Sequence, residues 1–313
     1  MAHRKKSPAR LAGRRHHGAA AGLSGPAVTH AQSRVLHSVD THPPSTSEGS
    51  IWGAGTGPTA DSAGNLYFLA ANGDFDTTLD SHGFPSQGDY GNAIMKLSTT
   101  GRTLAVADYF NMAGTVAESN ADEDLGSGGI LLLPDQKDGN GNVKHLAVGA
   151  GKDQAIYVVD RDDLGKFDPA TDHIWQEIPN ALGGGEFGMT AYFDGTVYYG
   201  AVDDVLRAFK LSKARLSTLP SSQSAHSFGY PGATPSISAN GSQDGIVWVA
   251  ENGSTAGLYA YDATNLAHEL YDSNQMGSRD QFGTGNKFIT PLVVNGKVYV
   301  GTTKGVAVFG LLH

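Results

Sequence analysis

The chain has 313 residues with 42 glycines, 17% charged residues and no cysteine, which suits many short strands joined by tight turns and excludes coiled coils, disulfide frameworks and thiol nucleophiles. Its net charge of −9 divides between a basic segment, residues 1–46, and an acidic remainder, so nucleic acid, whose phosphates need a basic surface, is not an expected partner. No apolar run approaches the roughly 18 residues that a membrane-spanning helix needs.

Residues 1–46 differ in composition from the rest of the chain. They are rich in Arg, His, Ala, Ser and Pro and show neither helical nor strand periodicity, so they bury too little apolar area to order themselves. The pair Arg14-Arg15 could belong to a twin-arginine export signal, but His-His-Gly follows where apolar residues are needed. We therefore expect a disordered basic leader, foreign to the fold, in front of one domain over residues 47–313.

One strand pattern recurs along that domain. Its copies are 65–69 (NLYFL), 145–149 (HLAVG), 196–200 (TVYYG), 246–250 (IVWVA) and 297–301 (KVYVG). The last four copies recur about every 50 residues, which is the period of a repeat protein with several strands per unit.

Further strands accompany each copy. A second strand follows at 94–97, 156–160, 206–209, 258–262 and 306–309, and an earlier strand lies within 188–195, 233–241 and 289–296. In the first repeat an insert, residues 72–90, separates the two strands. Pairs such as Asn295-Gly296 favour hairpin turns. The pattern predicts an all-β fold, a β-propeller of four-stranded antiparallel blades with about five blades between residues 57 and 312. A parallel β-helix is the alternative, although its repeats are shorter and carry few hairpins.

Several stretches resemble the pyrroloquinoline quinone (PQQ)-dependent dehydrogenases and their propeller-repeat relatives. They are 49–52 (GSIW), 65–73 (NLYFLAANG), 122–126 (DEDLG), 136–141 (QKDGNG), 151–161 (GKDQAIYVVDR) and 260–266 (AYDATNL). The resemblance covers most of residues 49–312, and it is most specific between residues 120 and 161. It implies a propeller that binds PQQ and Ca²⁺ and oxidises an alcohol or a sugar.

The resemblance also assigns roles to three residues, Asp124, Lys152 and Asn72, beside which Asp122 is a further candidate. Asp124 matches the family's catalytic base, which is also a metal ligand, and Asp122 could add a second carboxylate to the metal. Lys152 matches a basic residue that hydrogen-bonds the quinone oxygens, and Asn72 matches an asparagine that binds the calcium. These residue types suit the chemistry, because Ca²⁺ takes carboxylate and amide oxygens and a buried cation stabilises charge that develops on an oxygen.

The family's ring has eight blades, so the five found here correspond to its C-terminal portion. Blades copied from a wider ring would meet at the wrong angle. We therefore expect an open arc or a strained closure, with exposed strand edges through which copies of the chain self-associate. The three tryptophans, Trp52, Trp175 and Trp248, are expected to pack between blades.

Three functions remain open at this stage. The first is a quinone-dependent alcohol or sugar dehydrogenase, or a degenerate relative, acting on a small molecule in the periplasm or outside the cell, a placement that the resemblance alone implies. The second is a non-catalytic propeller that serves as a binding scaffold. The third is a propeller hydrolase acting on lactones or glycans. The nucleophile-elbow, phosphate-loop and His-Glu-x-x-His motifs of other enzyme classes are absent from the sequence.

Overall fold

Five antiparallel sheets, which we call blades 1 to 5, follow one another along the chain. The computed structural model describes residues 50–311, apart from the side chain of residue 102, so the predicted leader over residues 1–46 lies outside the described residues. Within residues 50–311 there is one α-helix, α1 (Thr115–Asn120). No helix in this part of the chain is long and apolar enough to cross a membrane.

The blades are built from strands in chain order. Blade 1 comprises β1 (Thr59–Ala60), β2 (Leu66–Leu69), β3 (Ile94–Ser98) and β4 (Ala105–Phe110). Blade 2 starts with β5 (Ile130–Leu132) and, after a separate hairpin of β6 (Gln136–Lys137) and β7 (Val143–Lys144), continues with β8 (Leu146–Ala150), β9 (Ile156–Asp160) and β10 (Gln176–Ile178).

The later blades follow the same scheme. Blade 3 comprises β11 (Ala191–Phe193), β12 (Thr196–Tyr199), β13 (Asp204–Ser212), β14 (Arg215–Leu216) and β15 (Ser222–Phe228). Blade 4 comprises β16 (Ser236–Asn240), β17 (Gln243–Glu251), β18 (Gly257–Asp262) and β19 (Asn265–Asp272). Blade 5 comprises β20 (Leu292–Val294), β21 (Lys297–Gly301) and β22 (Val306–Gly310). Short 3-10 helices lie at Thr100–Arg102, Leu125–Ser127 and Gly277–Arg279.

The strand pairing confirms the repeat that the sequence predicted. The recurring pattern is the second strand of every blade, namely β2, β8, β12, β17 and β21, and each pairs antiparallel with the first and third strands of its blade. Blades 1, 2 and 4 have the predicted four strands. Blade 3 has five, because the nine-residue β13 is long enough to pair with both β14 and β15. Blade 5 has three, and the outer edge of β22 has no partner strand among the described residues.

Apolar side chains between adjacent blades form the core. Val158 of blade 2 and Val197 and Phe209 of blade 3, for example, belong to one buried cluster. Similar clusters join blades 1 and 2, blades 3 and 4, and blades 4 and 5. The middle strands are apolar on both sides because a neighbouring blade covers each face of their sheet. Sequential antiparallel sheets that bury their faces against one another define a β-propeller arrangement.

The outer face of blade 1 is covered, whereas that of blade 5 is exposed. The insert covers the outer face of blade 1, where Phe75, Leu79 and Phe84 pack around the buried Tyr109. The register of blade 5 places Leu292 and Val308 on its outward face, and these side chains are 60% and 53% exposed. Within residues 50–311, no buried apolar cluster joins blade 5 to blade 1. We call the row of five described blades the arc.

Candidate functional site

Three loops meet at one end of blades 1 and 2: the loop after β2, the segment before β5, and the turn between β8 and β9. Glycine allows their backbones to touch. A Cβ at Gly126 would lie 2.2 Å from the backbone nitrogen of Ala71, and a Cβ at Gly151 would lie 2.4 Å from the Cα of Leu125. Real Cβ atoms do not approach so closely, so glycine is required where these loops cross.

Two buried asparagines hold the segment between α1 and β5. The Leu125 N–H donates to Asn92 Oδ1 at 2.7 Å, and Asn111 Nδ2 donates to the Asn92 carbonyl at 3.0 Å and to Thr115 Oγ1 at 2.9 Å. Asn92 and Asn111 are fully or almost fully buried. Side-chain amides that replace missing backbone partners inside a protein fix a loop in one conformation. The segment that carries Asp122 and Asp124 is held in this way.

The four site residues expected from the sequence come together at this crossing. Lys152 Nζ lies 2.5 Å from Asp122 Oδ1 and 2.6 Å from Asp124 Oδ1. Asn72 Nδ2 donates to Asp122 Oδ1 at 2.7 Å. The side chain of Asp122 is 76% exposed, whereas that of Asp124 is 1% exposed. Residues from two blades therefore share one small network.

Two oxygens of this network have no hydrogen-bond partner. Asp124 Oδ2 and Asn72 Oδ1 are buried, and no donor among the described residues reaches them. A buried carboxylate oxygen without a partner is costly. Such atoms mark places where a ligand, an ion or water completes the network.

Hydrogen bonds within the network stabilise the charged forms of Asp122 and Lys152. The hydrogen bond from Lys152 is the main cause that holds the pKa of the Asp122 carboxyl below its usual range. Burial alone lowers the pKa of the Lys152 ammonium, but the hydrogen bonds to Asp122 and Asp124 outweigh burial and raise it. Lys152 therefore stays protonated at neutral pH, with a negative carboxylate beside it.

The structure adds Trp52 to the site, where the sequence had predicted packing between blades. The segment that carries it crosses the arc: the Ala71 N–H donates to the Ser50 carbonyl, and Thr290 Oγ1 donates to the Gly55 carbonyl, both at 2.8 Å. Trp52 is 42% exposed, and Lys152 Nζ lies 5.4 Å from its ring centroid, within the range of a cation–π contact. No periodicity in this glycine-rich segment marks the position. Trp175 and Trp248 do pack against the clusters between blades.

Glu186 is a second residue that the sequence did not reveal. Its N–H donates to the Gly151 carbonyl at 2.8 Å, and its own carbonyl accepts from Ser127 Oγ at 2.7 Å. The side chain is buried; Oε1 accepts from the Gly188 N–H at 2.8 Å, and Oε2 has no hydrogen-bond partner. Burial raises the pKa of Glu186 to about 7. Glu186 thus ties the loop before blade 3 to the two loops beside Asp124 and Lys152.

The donor types at the site match a calcium ion in part. Within residues 50–311, no group of three His, Asp or Glu side chains gathers as a metal cluster. Asn72 Oδ1 and Asp124 Oδ2 are nevertheless amide and carboxylate oxygens, which Ca²⁺ prefers, and both lack partners. Because Ca²⁺ takes about six to eight oxygens, a bound molecule and water would have to supply the others.

Comparisons with known proteins identify no family for the chain. No family model matches the chain, and no curated protein matches it. Similar solved structures include quinohemoprotein alcohol dehydrogenase from Comamonas testosteroni, at 15% identity over 81% of this chain and 44% of that chain with a TM-score of 0.48. BamB from Moraxella catarrhalis is 11% identical over 84% of this chain and 62% of that one, with a TM-score of 0.44.

The WD40 β-propeller domain of Doa1 is 12% identical over 70% of this chain and 58% of that one, with a TM-score of 0.40. At these identities and TM-scores the likenesses say nothing about function. The propeller assignment rests on the order, pairing and packing of the five blades.

Proposed function

We propose that the protein is a quinoprotein-like propeller that binds PQQ and Ca²⁺ beside Asp124 and oxidises a small alcohol or a sugar. One observation carries the proposal: a carboxylate that is 1% exposed keeps one oxygen without a partner at the place where Asn72, Asp122 and Lys152 converge. A positioned carboxylate of this kind can accept a proton or bind a cation. The resemblance stated from the sequence supplies the identity of the cofactor.

Each residue of the network has a distinct part in this proposal. Asn72 Oδ1 and Asp124 would hold the Ca²⁺, with Asp122 as an exposed second carboxylate. The Lys152 ammonium would hydrogen-bond a quinone oxygen, and the ring of Trp52 offers a flat apolar surface beside it. When bound, PQQ supplies the acceptor for the two electrons of the oxidation.

The chain's own residues would handle the proton and the charge. Asp124 accepts the hydroxyl proton of the substrate, because it is the buried carboxylate with a free oxygen. Lys152 remains protonated through its contacts with Asp122 and Asp124, so it can stabilise negative charge on an oxygen without giving up its proton. Both groups lie on loops fixed by backbone contacts and buried amides, which keeps their geometry constant.

The experiment compares Asp124→Asn with a matched control in the full chain. Asp138→Asn makes the same substitution in the β6–β7 turn, where Asp138 Oδ1 accepts from the N–H groups of Asn140 and Asn142. Dye-linked oxidation of ethanol and glucose is measured with added PQQ and Ca²⁺. We expect Asp124→Asn to lose at least about 100-fold of the rate, since it cannot accept the proton, while Asp138→Asn stays at the wild-type level.

Calcium titration of the same variants separates proton transfer from metal binding. Asparagine keeps one oxygen ligand at position 124, so most of the calcium affinity should remain. Lys152→Ala should slow the reaction less than Asp124→Asn, because the base is left in place. If Asp124→Asn is as active as the wild type, the site assignment is wrong. If the wild type oxidises neither alcohol nor sugar with PQQ and Ca²⁺, the redox proposal is wrong.

A non-catalytic binding scaffold is the second candidate function. The outward face of blade 5 favours it, because Leu292, Val306 and Val308 are 60%, 64% and 53% exposed on one three-stranded sheet. Contiguous exposed apolar side chains mark surfaces that other molecules cover. A wild type without oxidase activity that nevertheless associates through this face would support the scaffold.

A further inference from the structure

A row of aromatic contacts continues from Trp52 into blades 3, 4 and 5. The Phe187 ring centroid lies 5.9 Å from that of Trp52, and Tyr230 lies 5.4 Å from Phe187 in an edge-to-face contact. Phe288 follows 6.3 Å from Tyr230, also edge to face. We call Phe187, Tyr230 and Phe288 the aromatic row.

The repeat of the fold produces this row. Each of its members lies in the connection that enters a new blade: Phe187 shortly before β11, Tyr230 before β16 and Phe288 before β20. Equivalent connections of successive blades lie side by side. The row therefore runs along the arc, on the side where Trp52 and Lys152 meet.

The row supports one exposed aromatic ring. Tyr230 is 44% exposed, whereas Phe187 and Phe288 are half-buried, and each makes an edge-to-face contact with its ring. Edge-to-face contacts fix the orientation of a ring. A ring that is already fixed loses little conformational entropy when a ligand stacks on it. An exposed aromatic ring with such support is suited to binding rather than to the core.

Polar groups surround this ring. Asn252 and Asn286 line a small cavity together with Phe187 and Phe288. Asn252 Nδ2 donates to the Tyr230 carbonyl at 3.3 Å, and Lys287 Nζ lies 4.6 Å from the centroid of the Tyr230 ring. A flat apolar surface beside amide and ammonium donors suits a ligand with an apolar face and a polar rim.

A sugar ring has this combination, because its C–H groups form an apolar face and its hydroxyls form a polar edge. A simple alcohol has no face to stack. We propose that the aromatic row binds one sugar ring of a neutral oligosaccharide, another ring of which reacts at Asp124. The reaction half of this inference rests on the proposed function, whereas the binding half does not.

The test is isothermal titration calorimetry on the full chain without cofactor, with maltotriose, cellotriose and glucose as probes. We expect one trisaccharide to bind at least tenfold more tightly than glucose. Tyr230→Ala should weaken that binding at least tenfold, as removal of a central aromatic anchor usually does. Tyr230→Phe keeps the ring and should retain binding. Leu219→Ala removes another exposed apolar side chain, between β14 and β15; it is the control and should bind as the wild type does.

Three results would overturn the inference. The first is that neither trisaccharide binds to the wild type, and the second is that Tyr230→Ala binds as tightly as the wild type. The third is a tenfold loss of PQQ affinity in Tyr230→Ala, which would assign the row to the cofactor. Melting curves of both Tyr230 variants show whether each is folded. If the alanine variant unfolds, the comparison of the trisaccharides with glucose on the wild type still tests the inference.

The two proposals can fail separately. Trisaccharide binding that depends on Tyr230, without any oxidation in the presence of PQQ and Ca²⁺, refutes the dehydrogenase and leaves the sugar site standing. Oxidation of ethanol that depends on Asp124, without trisaccharide binding, refutes the sugar site and leaves the dehydrogenase standing.

Discussion

Replacing Glu186 with glutamine tests whether a buried carboxyl limits the stability of the site loops. The Glu186 side chain is buried, Oε1 accepts from the Gly188 N–H, and Oε2 has no hydrogen-bond partner. Glutamine keeps the volume and the accepting oxygen, and it cannot ionise. The substitution therefore removes the penalty of burying a charge while leaving the packing in place.

The magnitude follows from the pKa. Burial raises the pKa of Glu186 from 4.5 to about 7 in the folded state. Below pH 4.5 the residue is protonated in both states and burial of the neutral acid has no ionisation cost. As the pH rises from 4.5 to 7, the unfolded chain gains from ionisation and the folded chain does not, so stability is lost. The free energy of unfolding decreases by about 3 kcal/mol in all, and about 2.5 kcal/mol of this decrease occurs between pH 5 and pH 8.

Urea unfolding of the wild type and Glu186→Gln at pH 5 and pH 8 measures this loss. The free energy of unfolding of the variant, relative to that of the wild type, should rise by about 2.5 kcal/mol between pH 5 and pH 8. Burial also raises the pKa of Glu118 to about 7, but that contribution is common to both proteins and cancels. Glu123→Gln, at an exposed position, should show no such change. A difference between wild type and Glu186→Gln that is the same at both pH values would refute the reasoning.

Three further predictions concern the ends of the arc. Val308→Lys places a charge on the outward face of blade 5 and should reduce self-association in sedimentation experiments, with little change in melting temperature. Unchanged association would show that copies of the chain do not associate through this face. Gly55→Ala should lower the free energy of unfolding in urea by about 2 kcal/mol, because Gly55 has a φ of +69° and an added Cβ would lie 2.7 Å from Thr290 Oγ1. An unchanged free energy would show that the crossing segment does not stabilise the fold. Phe75→Ala should lower the free energy of unfolding in urea by about 2 kcal/mol, because Phe75 packs edge to face on Phe167 at 4.8 Å. An unchanged free energy would show that the insert does not stabilise blade 1.

The blades could be predicted from sequence because their signal is local and repeated. Each second strand is a short apolar run, as in 196–199 and 297–301, and the turns that precede these two strands contain the pairs Asp194-Gly195 and Asn295-Gly296, which adopt positive φ at both positions. A period near 50 residues adds independent copies of the same signal. Errors in single strands therefore do not change the fold class.

The ends of the arc could not be predicted in this way. The insert was visible only as a gap between two strands, because Phe75, Leu79 and Phe84 lie in loop structure and follow no strand or helix period. These side chains cover a face of blade 1 that no other blade within residues 50–311 contacts. The pairing of β13 with both β14 and β15 likewise follows from the length of β13 and not from any repeated pattern.

The site was partly predictable for a different reason. Asn72, Asp122, Asp124 and Lys152 were found by resemblance, and each lies in a turn where solvated polar residues are ordinary. Their convergence depends on Gly126 and Gly151, whose close backbone contacts join loops that are distant in sequence. The burial of Glu186 has no local signal, since it is created by Ser127 and Gly151 on other loops.

The position of Asp124 within the repeat shows how a site can arise on this fold. The connections that enter blades 1, 3, 4 and 5 carry Trp52, Phe187, Tyr230 and Phe288, which contact one another in series. The connection that enters blade 2 carries Asp124 instead. A carboxylate cannot continue an aromatic series, and it needs a cation in its buried position, which Lys152 supplies at 2.6 Å while remaining near the ring of Trp52. The connections between blades thus supply stacking surfaces in four blades and a charged, incompletely bonded carboxylate in one. The functional site is therefore expected at blade 2, the blade that departs from the repeat.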